Sequence, residues 1–189
     1  MKFATSSLSR TPETGMSLIE LMISMLILAV GIGGITILIT GAIGSNNRNS
    51  QDTTATLLAQ MIIEQITSES ATSNVALTIT DCAGNNWTVT TTSGASPNGS
   101  GATLLSSGNI DFTQAYAGLQ TSGYAMQYVV CPSGGTQVTY EVRWNVMSVS
   151  TSAASRMITA AARPLRSNTG QLGNQFFALP VTLHSIGGS

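Results

Sequence analysis

Residues 15–43 read GMSLIELMISMLILAVGIGGITILITGAI, and this stretch decides how the rest of the chain can fold. No charged residue occurs between Glu20 and Arg48. As an α-helix, residues 21–43 would extend about 35 Å, which is enough to cross a hydrocarbon layer roughly 30 Å thick. A secretory signal peptide has an apolar region of only about 7 to 15 residues. We therefore predict a transmembrane helix, in preference to a buried core helix or a signal peptide.

Glu20 lies at the start of this apolar block. An unpaired carboxylate in hydrocarbon costs several kcal/mol, so Glu20 needs either a partner or a function. The positive end of the helix dipole favours a carboxylate by only about 0.3 to 1 kcal/mol. Because that gain is too small to explain the residue, we expect Glu20 to be neutralised by a group that it meets after insertion.

The glycine, the aliphatic residues, the glutamate and the apolar run occur together and in the order found at the processing site of type IV prepilins and type II secretion pseudopilins, which the chain resembles. The resemblance implies that a membrane prepilin peptidase cleaves between Gly15 and Met16 and methylates Met16. Glu20 would become the fifth residue of the mature chain, where its carboxylate can neutralise the new amino group of a neighbouring subunit during assembly. The family most often has Phe at the position of Met16.

A narrower resemblance is to the minor pilins called PilV. Residues 28–33, LAVGIG, are similar to the point where an aliphatic run in PilV turns to alternating glycine. Major pilins usually carry a proline about midway through this segment, and this sequence has none between Met16 and Ile66. Residues 142–144 and 156–159 resemble the paired C-terminal strands of PilV-type minor pilins.

An amphipathic helix is predicted from the return of charge at Arg48 to about Ser70. Its apolar stripe occupies one helical face, opposite Gln60, Glu64 and Thr67, and consists of Leu58, Met61, Ile62, Gln65 and Ile66. Such a stripe needs a sheet to pack against.

Strands are predicted for the remainder from alternating apolar residues at 75–79, 87–89, 124–130, 140–146, 156–162 and 177–183. A loop is predicted over 93–109 and a hairpin turn over 132–135. Hairpins without intervening helices predict an antiparallel sheet. The predicted fold class is α+β and pilin-like, with a long N-terminal helix packed on an antiparallel β-sheet domain. Its parts are a cleaved leader (1–15), a transmembrane and filament-core helix (16–44), an amphipathic periplasmic helix half (45–70) and a globular β domain (71–189).

Cys82 and Cys131 each follow a predicted strand. In an exported domain they would meet an oxidising compartment, and a bridge closing a loop of about 50 residues would stabilise the fold by roughly 4 kcal/mol in the chain-entropy model. Two buried free thiols are the alternative, and we favour the disulfide. Two thiols are too few for a four-cysteine metal site.

Composition and residue types argue against an enzyme or a nucleic-acid binder. Charged residues make up 8% of the chain, and seven Lys and Arg against eight Asp and Glu give a net charge of −1, so no broad basic surface is expected. The single histidine, His184, has no evident catalytic or metal-binding companions, and no cofactor is predicted. The carboxylates Asp81, Asp111 and Glu141 are expected at turns and on the surface. A basic cluster near the C-terminus is expected on a solvated face and consists of Arg156, Arg163 and Arg166.

The prediction is a non-enzymatic minor pilin that primes or modifies a type IV pilus or contributes to adhesion. Its partners would be the prepilin peptidase, other pilins and, before assembly, the bacterial inner membrane, with the N-terminus cytoplasmic as Lys2 and Arg10 favour. A minor pseudopilin of a type II secretion system shares every N-terminal feature and stays open. The alternative of another class is a membrane-anchored periplasmic enzyme or binding domain that never polymerises.

Overall fold

The computed structural model describes residues 15, 17–72, 74–132, 136–149, 155–165 and 180–188. The described residues fall into two compact units, one ending at Asn47 and the other beginning at Arg48, and the first helix contributes to both. In chain order the elements are α1 (Leu18–Thr67), β1 (Ala76–Thr80), β2 (Asn86–Thr90), β3 (Ser100–Gly101), α2 (Tyr116–Thr121), β4 (Ala125–Val130), β5 (Val138–Ser148), β6 (Ser155–Leu165) and β7 (Val181–Gly188). The predicted α+β, pilin-like architecture is confirmed.

The larger sheet is antiparallel throughout. β6 pairs with one edge of β5 and with β7, while β3 and β4 pair with the other edge of β5. β4, β5 and β6 correspond to three of the predicted strands. The described end of the last predicted strand, from Val181, belongs to β7. Residues 177–179 of that prediction lie outside the described part of the chain, as do 133–135 of the predicted turn.

The core lies between one face of this sheet and the second half of α1. Val142, Trp144 and Val146 of β5 are fully buried on that face. Trp144 lies opposite Ala160 of β6, whose small side chain leaves room for the indole. The predicted stripe of α1 is confirmed for Leu58, Ile62 and Ile66, which are buried in the same core, and Met61 packs against it. Ala55 and Ala59, which the predicted stripe did not include, are buried there as well. The helix ends at Thr67 rather than near Ser70.

The opposite face of β5 is also covered, which the sequence did not predict. The predicted loop over 93–109 contains β3 and runs across this face, and α2 follows it. The Asn145 side-chain amide donates to the carbonyls of Asn98 and Ala102, both at 2.9 Å. The covering segment is thereby fixed to the sheet by hydrogen bonds from a buried side chain.

Glu141 lies on the covered face and is only 3% exposed, so the prediction that it is a surface carboxylate is wrong. It accepts hydrogen bonds from Nε of Arg143 at 2.6 Å and from Nη2 of Arg163 at 2.7 Å. Both guanidinium groups also lie near the ring of Phe112, at 5.0 and 4.5 Å from its centroid. Two cations compensate one buried carboxylate, an arrangement that costs several kcal/mol to break on either side.

Arg156 was expected on a solvated face, and the structure corrects this, because the residue is 1% exposed. Its guanidinium donates to the carbonyls of Ile66 and Glu69 at the C-terminal end of α1. The last turn of α1 contains no basic residue of its own. β6 therefore supplies the positive charge that favours a helix C-terminus, and burial lowers the pKa of Arg156. Arg166, the third member of the predicted cluster, lies outside the described residues.

Asp81 connects the two-stranded sheet of β1 and β2 to β4. Although it occupies the predicted turn, it is buried rather than exposed. Its carboxylate accepts hydrogen bonds from Nε1 of Trp87 at 3.1 Å, from both the backbone and the side chain of Asn85, and from the Val129 amide of β4 at 3.3 Å. Burial raises the pKa of Asp81, but these hydrogen bonds outweigh it and lower the pKa to about 2.

We expect Asp81→Asn to lower the free energy of unfolding at neutral pH by about 2 kcal/mol. The NH₂ group of the asparagine would face N–H groups that now donate to the carboxylate, so some of those hydrogen bonds would be lost. The pKa is lower in the folded state, so the carboxylate stabilises the fold above about pH 4 and this contribution is lost as the pH falls towards 2. Urea unfolding of the full chain in detergent micelles between these pH values measures the effect. Asp52→Asn on the exposed side of α1 is the control, and an identical acid dependence in Asp81→Asn and the wild type contradicts the assignment.

Candidate functional site

The segment before α1 carries the predicted processing site. Gly15 and Ser17 are exposed and lie outside the helix, and Met16 between them is outside the described residues. The Ser17 carbonyl accepts hydrogen bonds from the amides of Glu20 at 3.0 Å and Leu21 at 3.2 Å, which closes the first turn. The predicted scissile bond thus follows the exposed residue Gly15, shortly before the helix begins at Leu18.

Glu20 is the acidic residue in the first turn of α1. Its neighbours are strongly exposed apolar side chains, including Leu18 at 77% and Ile19 at 66%. Across the described part of the chain, no side chain bonds or ion-pairs with the Glu20 carboxylate. The carboxylate therefore lies in an apolar surface without compensation from the described residues.

The first half of α1 is an uncovered apolar cylinder. All described residues from Leu18 to Gly44 are exposed, and among the described residues α1 is the one helix long and apolar enough to cross a membrane. Its hydroxyl groups donate to carbonyls of the preceding turn, as Ser24 does to Glu20 at 2.7 Å and Thr36 to Ile32 at 2.9 Å. These side chains satisfy their own donors, so apart from Glu20 little here opposes transfer into lipid.

Cys82 and Cys131 form a disulfide with a Cα–Cα distance of 6.0 Å. Cys82 lies in the turn between β1 and β2, and Cys131 directly follows β4. The bond therefore ties the same two elements that Asp81 joins. Disulfides of this kind form and persist in oxidising compartments outside the cytosol.

His184 and Asp111 each make local contacts with a threonine. His184 is exposed on β7, and its Nδ1 lies 3.1 Å from Oγ1 of Thr159. No group of three or more His, Cys, Asp or Glu able to hold a metal ion occurs in the part of the chain that the structure describes. Asp111 is in the predicted turn, where Thr113 donates to its carboxylate from both the backbone and the hydroxyl and lowers its pKa.

Tyr116 of α2 is a polar residue that the sequence did not single out. Its hydroxyl oxygen is buried, with no hydrogen-bond partner among the described residues. Burial and the negative charge of Glu141 raise the pKa of Tyr116 to about 12, so the phenol stays neutral. The sequence carries no signal for this arrangement, because Tyr116 and Glu141 are brought together only when α2 covers the sheet.

An open groove of about 470 Å³ lies beside β4. It was also missed, although the Asn-Asn-Trp triplet at 85–87, polar amides beside an aromatic residue, is the one local signal for it. The lining comes from the β1–β2 turn, β2, α2, β4 and β5: Asn85, Asn86, Trp87, Gln120, Gln127, Val129 and Thr139.

Comparison with known proteins identifies the N-terminal segment. Residues 10–42 match the family defined as the prokaryotic N-terminal methylation motif. No curated protein and no solved structure matches the chain. Together with the pilin-like architecture, the motif supports a type IV pilin-like or pseudopilin protein, a structural class whose N-terminal motif implies processing by prepilin peptidase and assembly with other pilins. The apolar helix and the motif fit membrane anchoring.

Replacing both cysteines with serine is expected to lower the free energy of unfolding by about 4 kcal/mol, because the unfolded chain regains the freedom of a loop of 49 residues. The measurement is urea unfolding of the full chain in micelles, with and without reductant. Reductant should destabilise the wild type and leave the double variant unchanged. Equal sensitivity of both proteins to reductant, or equal stability of both without it, contradicts a structural role for the bond.

Proposed function

We propose that this chain is a minor pilin, cleaved between Gly15 and Met16, methylated at Met16 and assembled through the apolar half of α1 into a type IV pilus. In this proposal Glu20 pairs with the new N-terminal amino group of a neighbouring subunit. The observation that carries it is an uncompensated carboxylate at the start of an otherwise exposed apolar helix, within a matched methylation motif.

The energetics of Glu20 support assembly as its purpose. On insertion scales an acidic side chain costs about 2.5 to 3.5 kcal/mol at the centre of a membrane helix, and this sets the upper limit for Glu20, which lies in the first turn. A cationic amine in the same medium carries a cost of its own, and pairing the two reduces both. Each subunit would therefore be stabilised by a neighbour that supplies the opposite charge.

The glycines of α1 support close contact with other helices. A Cβ atom added at Gly31, Gly33 or Gly34 would meet, beyond its chain neighbours and the adjoining helix backbone, no described atom within 4 Å. Each glycine nevertheless weakens a helix in water by roughly 1 kcal/mol relative to alanine. Since the chain's own packing does not require them, we infer that they let neighbouring helices approach.

Before assembly, we propose that residues 16–44 span the inner membrane with the leader in the cytoplasm. Residues 45–70 would then continue as a periplasmic helix half carrying the β domain, 71–189. The disulfide supports a periplasmic location for Cys82 and Cys131, because that compartment is oxidising. In the filament the domain would contribute to priming, modification or adhesion.

The assignment to a pilus of PilV type is a proposal from the short resemblances in 28–33, 142–144 and 156–159. A minor pseudopilin of a type II secretion system is the second candidate, because the matched motif is common to both classes. Identifying the filament proteins that co-purify with the chain separates them: pilins support the proposal, and secretion pseudopilins support the alternative.

Intact-mass and N-terminal peptide spectrometry of the native protein should find a chain beginning at Met16 and carrying one methyl group on its amino terminus. Substituting Gly15→Ala is expected to reduce cleavage, because the motif places the glycine directly at the scissile bond. A native, filament-associated protein that retains residues 1–15 would contradict processing. A cleaved N-terminus that lacks the methyl group would contradict only the modification.

Glu20→Ala is expected to leave membrane insertion intact or improve it, since it removes a charge from hydrocarbon. Incorporation into sheared filaments should fall at least about tenfold, the effect of losing roughly 1.4 kcal/mol of pairing. Membrane fractionation and immunoblotting of filaments measure the two quantities. Glu64→Ala, on the exposed side of the amphipathic half, is the matched control, and normal incorporation of Glu20→Ala removes the pairing argument.

A further inference from the structure

The groove beside β4 has a lining suited to hydroxyl groups. Four of its lining residues carry carboxamides, namely Asn85, Asn86, Gln120 and Gln127, and Thr139 adds a hydroxyl. A carboxamide offers two N–H donors and a carbonyl acceptor, so it can bind a hydroxyl that donates and accepts at once. The groove therefore presents several such groups to one ligand.

Two of these amides are available for a ligand. The side chain of Asn85 donates to Asp81 and that of Asn86 accepts from Thr80, so both are held in place by the protein. The side-chain amides of Gln120 and Gln127 make no hydrogen bond to another described residue. Because they project from α2 and β4, they face the groove from two different elements.

Trp87 and Val129 supply the apolar part of the lining. The indole N–H of Trp87 is used by Asp81 at 3.1 Å, so what Trp87 contributes to the groove is ring carbon. An aromatic surface beside hydrogen-bonding amides matches a molecule with C–H groups on one face and hydroxyls around its rim.

Among the described residues, those that line the groove are all uncharged, which favours recognition through hydrogen bonds and ring contacts. The nearby carboxylate, Asp81, is fully engaged by its own hydrogen bonds. The volume of the groove, about 470 Å³, lies within the range of small-molecule binding sites. We propose that this groove binds an uncharged oligosaccharide, through the amides of Gln120 and Gln127 and the ring of Trp87.

Two walls of the groove are joined to each other by bonds within the protein. The Cys82–Cys131 bond and the Asp81 hydrogen bonds join the β1–β2 turn, which holds Asn85, to β4, which holds Gln127. A prearranged site loses less conformational freedom on binding, which favours recognition of a flexible sugar. This inference goes beyond filament assembly and does not depend on it.

The test is titration of the full chain in micelles of an amine-oxide detergent, which has no sugar headgroup, with cellotriose, mannotriose and chitotriose. Sialyllactose is the charged comparator. Calorimetry and tryptophan fluorescence give the dissociation constant, and since Trp144 is buried in the core, the fluorescence change reports on Trp87. We expect saturable binding of at least one neutral trisaccharide, unaffected by added salt.

The double variant Gln120→Ala/Gln127→Ala should bind at least about tenfold more weakly, as expected for two lost hydrogen bonds. Gln60→Ala, an exposed glutamine on α1 outside the lining, should bind as the wild type does. If the double variant fails to fold, Thr139→Val replaces it, with weaker binding expected. Absence of saturable binding to all three neutral sugars, binding of sialyllactose alone, or unchanged affinity in the groove variants would overturn the proposal.

Discussion

The structure depends on one helix, α1, whose two halves have different surfaces. The first half of α1 is apolar on every side, so something other than this chain's described residues must cover it. The second half is amphipathic and supplies Ala55, Leu58, Ala59, Ile62 and Ile66 to the core of the β domain. A helix of 50 residues with this change of character fits a membrane anchor in its first half and packs against the β domain with its second half. Glu20 is the acidic residue in the apolar half of this helix, and the proposed assembly contact depends on it.

The helix and most of the larger sheet could be predicted from periodicity. Period-2 alternation identified β4, β5 and β6, and the stripe at Leu58, Ile62 and Ile66 predicted which side of α1 is buried. These predictions succeed because one face of each element is apolar and the other is not. The motif around Gly15 and Glu20 was equally readable, because its residues are adjacent in sequence.

The remainder could not be predicted, for identifiable physical reasons. A polar residue such as Glu141 is expected outside unless its partners are known, and Arg163 lies far from it in sequence. Arg156 acts on a helix end that precedes it by about 90 residues. α2 is six residues long, which is too short to show a helical repeat of apolar residues in the sequence. The amide-lined groove arises only when α2, β4 and the β1–β2 turn come together.

The distribution of charge has a consequence for the environment in which the protein works. The protein has few charged side chains, and four of them are buried: Asp81, Glu141, Arg143 and Arg156. Long-range interactions between exposed charges therefore contribute little to the stability of this molecule. These are the interactions that dissolved salt screens. A chain with so few exposed charges is suited to fresh and saline surroundings alike, because screening by salt removes little of its stability.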